Sequence, residues 1–182
     1  MSIIQKSITA DELFAMGDIG RCELIYGEIV PLNYSSCERG IIAGRLGIFI
    51  GGHAEDHDLG IVVGVGAGFV IEDPDLVRAA DAAFIRKDRL IRPIPTGYYP
   101  GVPDLAVEVM SPDVSKRDIP DKVNMWLAHG TSVVWLADPE KKIVTIHRVG
   151  KPVQKLTIAD EIRDEPLLPE FVLPLSQIFK TS

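Results

Sequence analysis

The chain has 182 residues, 46% of them hydrophobic and 25% charged, a globular balance that excludes a disordered chain or a coiled coil. A chain of this size can bury about 70% of its surface, so its core needs no disulfide or metal to hold it. The net charge of -7, from 19 basic and 26 acidic residues, argues against a non-specific binder covering many phosphates, while leaving room for a local basic patch.

Length predicts one domain over residues 1–182. Cys22 and Cys37 have neither the number nor the spacing of a disulfide framework or a zinc site. With no signal-peptide pattern at the N-terminus and no 18-residue apolar run, the expected location is cytoplasmic, with no membrane partner.

In chain order, Thr9-Ala-Asp-Glu12 is a capping box ahead of Leu13, Phe14 and Met16 and predicts a helix over 10–17. Glu23-Leu-Ile-Tyr-Gly-Glu-Ile-Val30 reads as a strand pair turning at Gly27. Ile41, Ile42, Leu46, Phe49, Ile50 and His53 recur at helical spacing and predict a long helix over 38–57. Gly40, Gly44, Gly47 and Gly51 weaken that helix but give it a smooth face for close approach, within the subunit or across a dimer. Residues 61–71 are apolar on both faces, with Gly64, Gly66 and Gly68 on one side under period-two geometry. They predict a central strand whose glycine face receives the 38–57 helix.

A short strand follows over 82–86, then a proline-rich loop over 88–103 and a strand over 104–110. Ser115 or Asp113 can cap a helix that runs to about His129 and closes at Gly130. Apolar strands over 133–137 and 143–148, a small strand near 153–156 and a short helix near 175–179 complete the chain. The crossover from 104 to 137 predicts an α/β domain with a mixed sheet.

Glu108 carries the chemical signal. It lies mid-strand between Val107 and Val109, and an unpaired carboxylate there costs several kcal/mol. It requires a cation, a proton or a metal nearby, unless the strand lies at an edge and the side chain reaches solvent. Asp81, opening the run Ala82-Ala-Phe-Ile85, is its natural partner. Two converging carboxylates repel unless a divalent cation sits between them, and oxygen ligands suit Mg2+ or Mn2+ rather than Zn2+. Asp104 shares a strand face with Glu108 but lies about 13 Å along it, so it reads equally as a polar residue at a strand start. Lys122 falls four residues after Asp118, on a helical face continuing to Met125, Trp126 and His129. It either snorkels or pairs with Asp118, or else it points over the strand ends at Asp81 and Glu108.

Other signals are weaker. Gly64-Val-Gly-Ala-Gly68 does not have the dinucleotide spacing G-x-G-x-x-G. His53 and His57 are four apart but lack the glutamate of H-E-x-x-H, so they read as helix-end histidines. No G-x-S-x-G elbow is present.

Six segments in order resemble the Uma2 family of restriction-endonuclease-like proteins. They are Glu23-Leu-Ile-Tyr-Gly-Glu28, Arg78-Ala-Ala-Asp81-Ala-Ala-Phe84, Pro103-Asp104-Leu-Ala-Val-Glu108-Val, Ser111-Pro112, Arg117-Asp118 to Lys122, and Val134-Trp-Leu-Ala-Asp138-Pro139. The resemblance runs from about residue 9 to 180. It implies the PD-(D/E)XK superfamily, with a mixed sheet flanked by helices and a metal held at a split in that sheet. Carried over, Asp81 and Glu108 would be the metal carboxylates. The superfamily lysine two residues after the second acid is replaced here by Met110, and the resemblance implies that Lys122 supplies it from the following helix. Ala80 stands where proline is usual. Glu28 resembles the acid of the N-terminal G-E element and, with Asp104, is an auxiliary candidate. The implied activity is Mg2+- or Mn2+-dependent hydrolysis of DNA phosphodiester bonds; separately, the glycine-spaced helix over 38–57, the apolar strand over 143–147 and the acidic charge suggest a homodimer that buries a hydrophobic patch. The alternative is a non-catalytic dimeric scaffold or DNA-associated protein retaining the fold.

Overall fold

The computed structural model describes residues 7–72, 75–111 and 118–180, without the side chains of 118 and 119. Thr9 caps α1 (Ala10–Ala15) as the capping box requires. Its hydroxyl accepts from the Glu12 amide at 3.2 Å, and its own amide donates to the Glu12 carboxylate at 3.0 Å. Strands β1 (Cys22–Ile25) and β2 (Glu28–Pro31) form a hairpin whose two-residue turn, Tyr26-Gly27, takes positive φ at both positions, the backbone that matches strand twist. Ser36 caps α2 (Cys37–Asp56), its hydroxyl accepting from the Arg39 amide.

The remaining elements are β3 (Gly60–Val63), β4 (Phe69–Glu72), β5 (Leu76–Arg78), β6 (Ala82–Arg86), β7 (Tyr99–Pro100), β8 (Leu105–Val109), α3 (Asp118–Ala128), β9 (Val133–Asp138), β10 (Ile143–His147), β11 (Gln154–Thr157), β12 (Glu161–Ile162) and β13 (Leu173–Pro174). They build a six-stranded mixed sheet in the order β11-β10-β9-β8-β6-β3 and a five-stranded sheet in the order β2-β1-β5-β4-β7, with β12 and β13 paired separately. β8 and β9 run parallel, joined through α3, as the crossover predicted.

Period two along β8 divides the core. Leu105, Val107 and Val109 face α2 and the C-terminal segment, packing with Ile42, Leu46, Ile50, Trp135 and Phe171. Ala106 and Val134 face α3, with Val123 and Trp126. Glu108 shares that second face, and its burial follows from α3 lying over it.

Three expectations need correction. Residues 61–71 are not one central strand: β3 is an edge strand of the larger sheet and β4 belongs to the smaller one. The glycines between them turn the chain, with Gly66 at φ +92°, a conformation favoured by glycine. The helix contact also differs. Gly47 and Gly51 approach Val62 and Ala82, whereas Gly64 and Gly66 have nothing within 4 Å and Gly68 lies against Tyr98 and Val77. The C-terminal helix is a single 3-10 turn, Leu175–Gln177, and the expected caps Asp113 and Ser115 lie outside the described residues. Strands β6 and β8 fall where the sequence put them, and α3 ends before Gly130 at φ +103°.

Candidate active site

Asp81 sits where the chain leaves the five-stranded sheet at β5 and enters the six-stranded sheet at β6. Its amide donates to Val107 O at 2.9 Å, and Ala82 pairs with Val107 in the antiparallel ladder. The carboxylate therefore comes to rest beside Glu108. Asp81 Oδ2 accepts from the Val109 amide at 2.8 Å, which anchors it to β8. The Arg39 guanidinium grips the same carboxylate in a fork: Nε to Oδ2 at 3.1 Å, and Nη2 to Oδ1 and Oδ2 at 3.0 and 2.9 Å.

Glu108 is 5% exposed. Its Oε1 accepts from Trp126 Nε1 at 2.8 Å and its Oε2 lies 3.1 Å from Lys122 Nζ. Lys122 Nζ also donates to Ala79 O at 2.8 Å and lies 3.4 Å from Glu23 Oε1. Glu23 in turn accepts from the Ala79 amide at 3.1 Å and stands 3.3 Å from Arg78 Nε. Burial pushes the Glu108 carboxyl above its ordinary value, with the Asp81 charge adding to the rise and Lys122 opposing it. Burial also works against the Lys122 ammonium, but the Glu108 and Glu23 charges outweigh it and hold the lysine above its ordinary value.

These groups line one cleft of about 660 Å³, rimmed by the β1–β2 hairpin, the first turn of α2 and α3. Asp81, Glu108 and Lys122 all line it. Glu28 does not: it is exposed at the start of β2. Asp104 also lies outside the lining. It is buried at the far end of β8, accepting from the Arg86 amide at 2.9 Å and from Arg89 at 2.8 Å, so its position matches the polar strand-start reading. The Asp118 side chain, the other partner open to Lys122, lies outside what the structure describes. His53 and His57 stack at the end of α2, with His53 Nε2 2.8 Å from Pro169 O.

Two residues escaped the sequence reading. Glu23 carries the same signal as Glu108, a carboxylate beside buried Leu24 in a short strand, but stood in a hairpin with no chemical assignment. Arg39 is a cation on the first turn of a helix, where it opposes the helix dipole; that placement points to an acid partner.

The donor set can be judged for a divalent ion by its chemistry. Two buried carboxylates supply oxygen donors of the kind Mg2+ and Mn2+ take, and both open onto the cleft. Among the described residues no group of three or more His, Cys, Asp or Glu is arranged to hold a metal. Asp81 and Glu108 offer two carboxylates to one cleft, a donor chemistry that fits Mg2+ or Mn2+.

The mixed sheet flanked by helices makes this an α/β protein. The fold matches the crystal structure of a protein from Anabaena variabilis ATCC 29413, described as a putative nuclease belonging to DUF820, with a TM-score of 0.80, 20% identity, and coverage of 94% of this chain and 97% of that one. The chain belongs to the Uma2 family, described as putative restriction endonuclease, which it matches over residues 10–176. No curated protein matches it. Among the described residues no helix is long and apolar enough to cross a membrane.

Proposed function

We propose that the protein is a cytoplasmic, metal-dependent endonuclease that hydrolyses DNA phosphodiester bonds, with Asp81 and Glu108 as the carboxylates for Mg2+ or Mn2+. The observation that carries this reading is Glu108, buried in an apolar strand beside a second acid and an ammonium, at an open cleft. An apolar residue would serve stability as well or better there; a use for the charge accounts for it.

The chain's own groups divide the work. The Val109 amide and Trp126 Nε1 fix one oxygen each of Asp81 and Glu108, so the donors are oriented before any ligand arrives. A bound divalent ion would supply Lewis-acid chemistry, acidifying a water and offsetting charge on the scissile phosphate. Lys122 brings a positive charge within 3.1 Å of Glu108, where it can orient the nucleophile or stabilise charge developing on the phosphate. Met110 carries no charge and leaves this role to Lys122.

Plasmid and oligonucleotide cleavage in Mg2+ and Mn2+ tests the proposal: EDTA should stop the reaction, and Asp81→Asn and Glu108→Gln should abolish it. Calorimetric Mg2+ titration gives the direct reading. Equal affinity in wild type and Glu108→Gln would end the metal role.

The non-catalytic, dimeric alternative has one observation in its favour. Ile41 and Ile48 of α2 are 47% and 73% exposed, two turns apart on either side of Gly44, which has nothing within 4 Å. We infer a homodimer through this face in either reading, the second copy covering the apolar stripe. The strand over 143–147, expected from sequence to share in the patch, turns Val144 and Ile146 into the core instead. Sedimentation equilibrium should show twice the 19.9 kDa chain mass; a clean monomer at high micromolar concentration would rule the dimer out.

A further inference from the structure

Both oxygens of Asp81 are engaged. The Val109 amide is fixed in β8 and cannot leave without breaking the strand, whereas the other contacts come from a flexible side chain, Arg39, reaching from the first turn of α2. The Arg39 side chain is 17% exposed against 5% for Asp81, and both line the cleft.

We propose that Arg39 is an exchangeable counterion: it neutralises Asp81 in the empty cleft, cedes the carboxylate to an arriving divalent cation, and transfers its fork of donors to a phosphate of the bound DNA strand. The inference rests on the metal-dependent nuclease reading. A guanidinium matches carboxylate and phosphate alike with paired N–H donors, so the exchange conserves its hydrogen bonds. Asp81 exchanges a singly charged partner for a doubly charged one while the Val109 amide keeps it in place. Each ligand then favours the Arg39 position that the other needs, and the coupling must be reciprocal. Without DNA, a metal competes with a tethered cation and binds weakly; with DNA, the competitor is drawn away.

Calorimetry with Mg2+ tests this on wild type, Arg39→Met and Arg39→Lys, each with and without a phosphorothioate-linked duplex oligonucleotide that resists cleavage. In wild type the oligonucleotide should tighten Mg2+ binding about tenfold, within the usual range of coupling between sites. Arg39→Met should bind Mg2+ about tenfold more tightly than wild type without DNA, and the oligonucleotide should no longer change that affinity. Its thermal stability, reduced because Asp81 is left unpaired, should recover in Mg2+ by more than wild type gains; a merely structural arginine would show no such rescue. Arg39→Lys keeps the charge without the fork and should retain part of the coupling. If wild type binds Mg2+ and Glu108→Gln does not, yet Arg39→Met binds no more tightly than wild type, the exchange is wrong and the metal site stands. If neither wild type nor Arg39→Met binds Mg2+ or Mn2+, both fall together. Should Arg39→Met fail to fold, unchanged affinity and unchanged oligonucleotide dependence in Arg39→Lys would overturn the exchange.

Discussion

At Lys122 one ammonium answers to two carboxylates and a carbonyl, from Glu108, Glu23 and Ala79. Its removal leaves both acids without their shared cation in a buried setting, and breaking such a pair costs about 3 kcal/mol or more. Lys122→Met should therefore lower the unfolding free energy read from urea melts by that measure, besides reducing cleavage by orders of magnitude. Adding Glu108→Gln should return much of the stability and none of the activity; additive losses would show that the two side chains do not interact. Glu108 also gives a pH signature in the metal-free protein. Its folded carboxyl holds a proton above the ordinary 4.5, so the stability it contributes is complete below that pH and is lost as pH rises through the raised value. The stability of Glu108→Gln relative to wild type should improve across that window, and a flat difference would contradict the raised value. Asp81, Glu108 and Lys122 were legible in the sequence because each breaks a local rule: charge in an apolar strand, charge at a strand mouth, charge on an apolar helix face. The Arg39–Asp81 and Glu23–Lys122 contacts were not, since they join residues 42 and 99 positions apart and no local pattern records them.

Among the elements, the strands whose apolar runs are bounded by polar or proline residues, β6 and β8, were readable to within a residue. The run 61–71 was misread because apolar content alone cannot distinguish one strand from two separated by a glycine turn. The glycines now sort by their surroundings. At Gly60 a Cβ would stand 2.1 Å from Ile85 O, and at Gly68 it would stand 2.5 Å from the Tyr98 ring and 3.0 Å from Val77. At Gly64 it would meet open space. Gly60→Ala and Gly68→Ala should each cost about 1–3 kcal/mol, the range for forcing atoms into filled space. Gly64→Ala should stay within about 0.5 kcal/mol of wild type. Thermal melts of the three would decide between the two-strand arrangement and a single glycine-faced strand, which would make Gly64 the sensitive position as well.

Over the whole molecule, a net charge of -7 faces a cleft lined by Arg21, Arg39, Arg78 and Lys122. Three of these, Arg39, Arg78 and Lys122, are already committed to acids within the protein. Oligonucleotide affinity should fall with salt at a log-log slope of only roughly -2, as Arg21 and an exchanged Arg39 neutralise few phosphates; a slope near -8 would demand a basic surface elsewhere. The two sheets are also threaded through one another: the chain passes from β1 and β2 to α2 and β3, back to β4 and β5, across to β6, back to β7 and out again to β8. No single cut separates one sheet from the other, so unfolding should be one cooperative transition. The same threading governs how such a site can be inherited. A chimaera of two relatives joined between β3 and β7 would draw each sheet from both parents at once, and a join anywhere between β2 and β8 would part Glu23 from Lys122. A join beyond α3 leaves Glu23, Arg39, Asp81, Glu108, Lys122 and Trp126 to a single lineage, so recombination can exchange the C-terminal strands of this protein but must take this cluster whole.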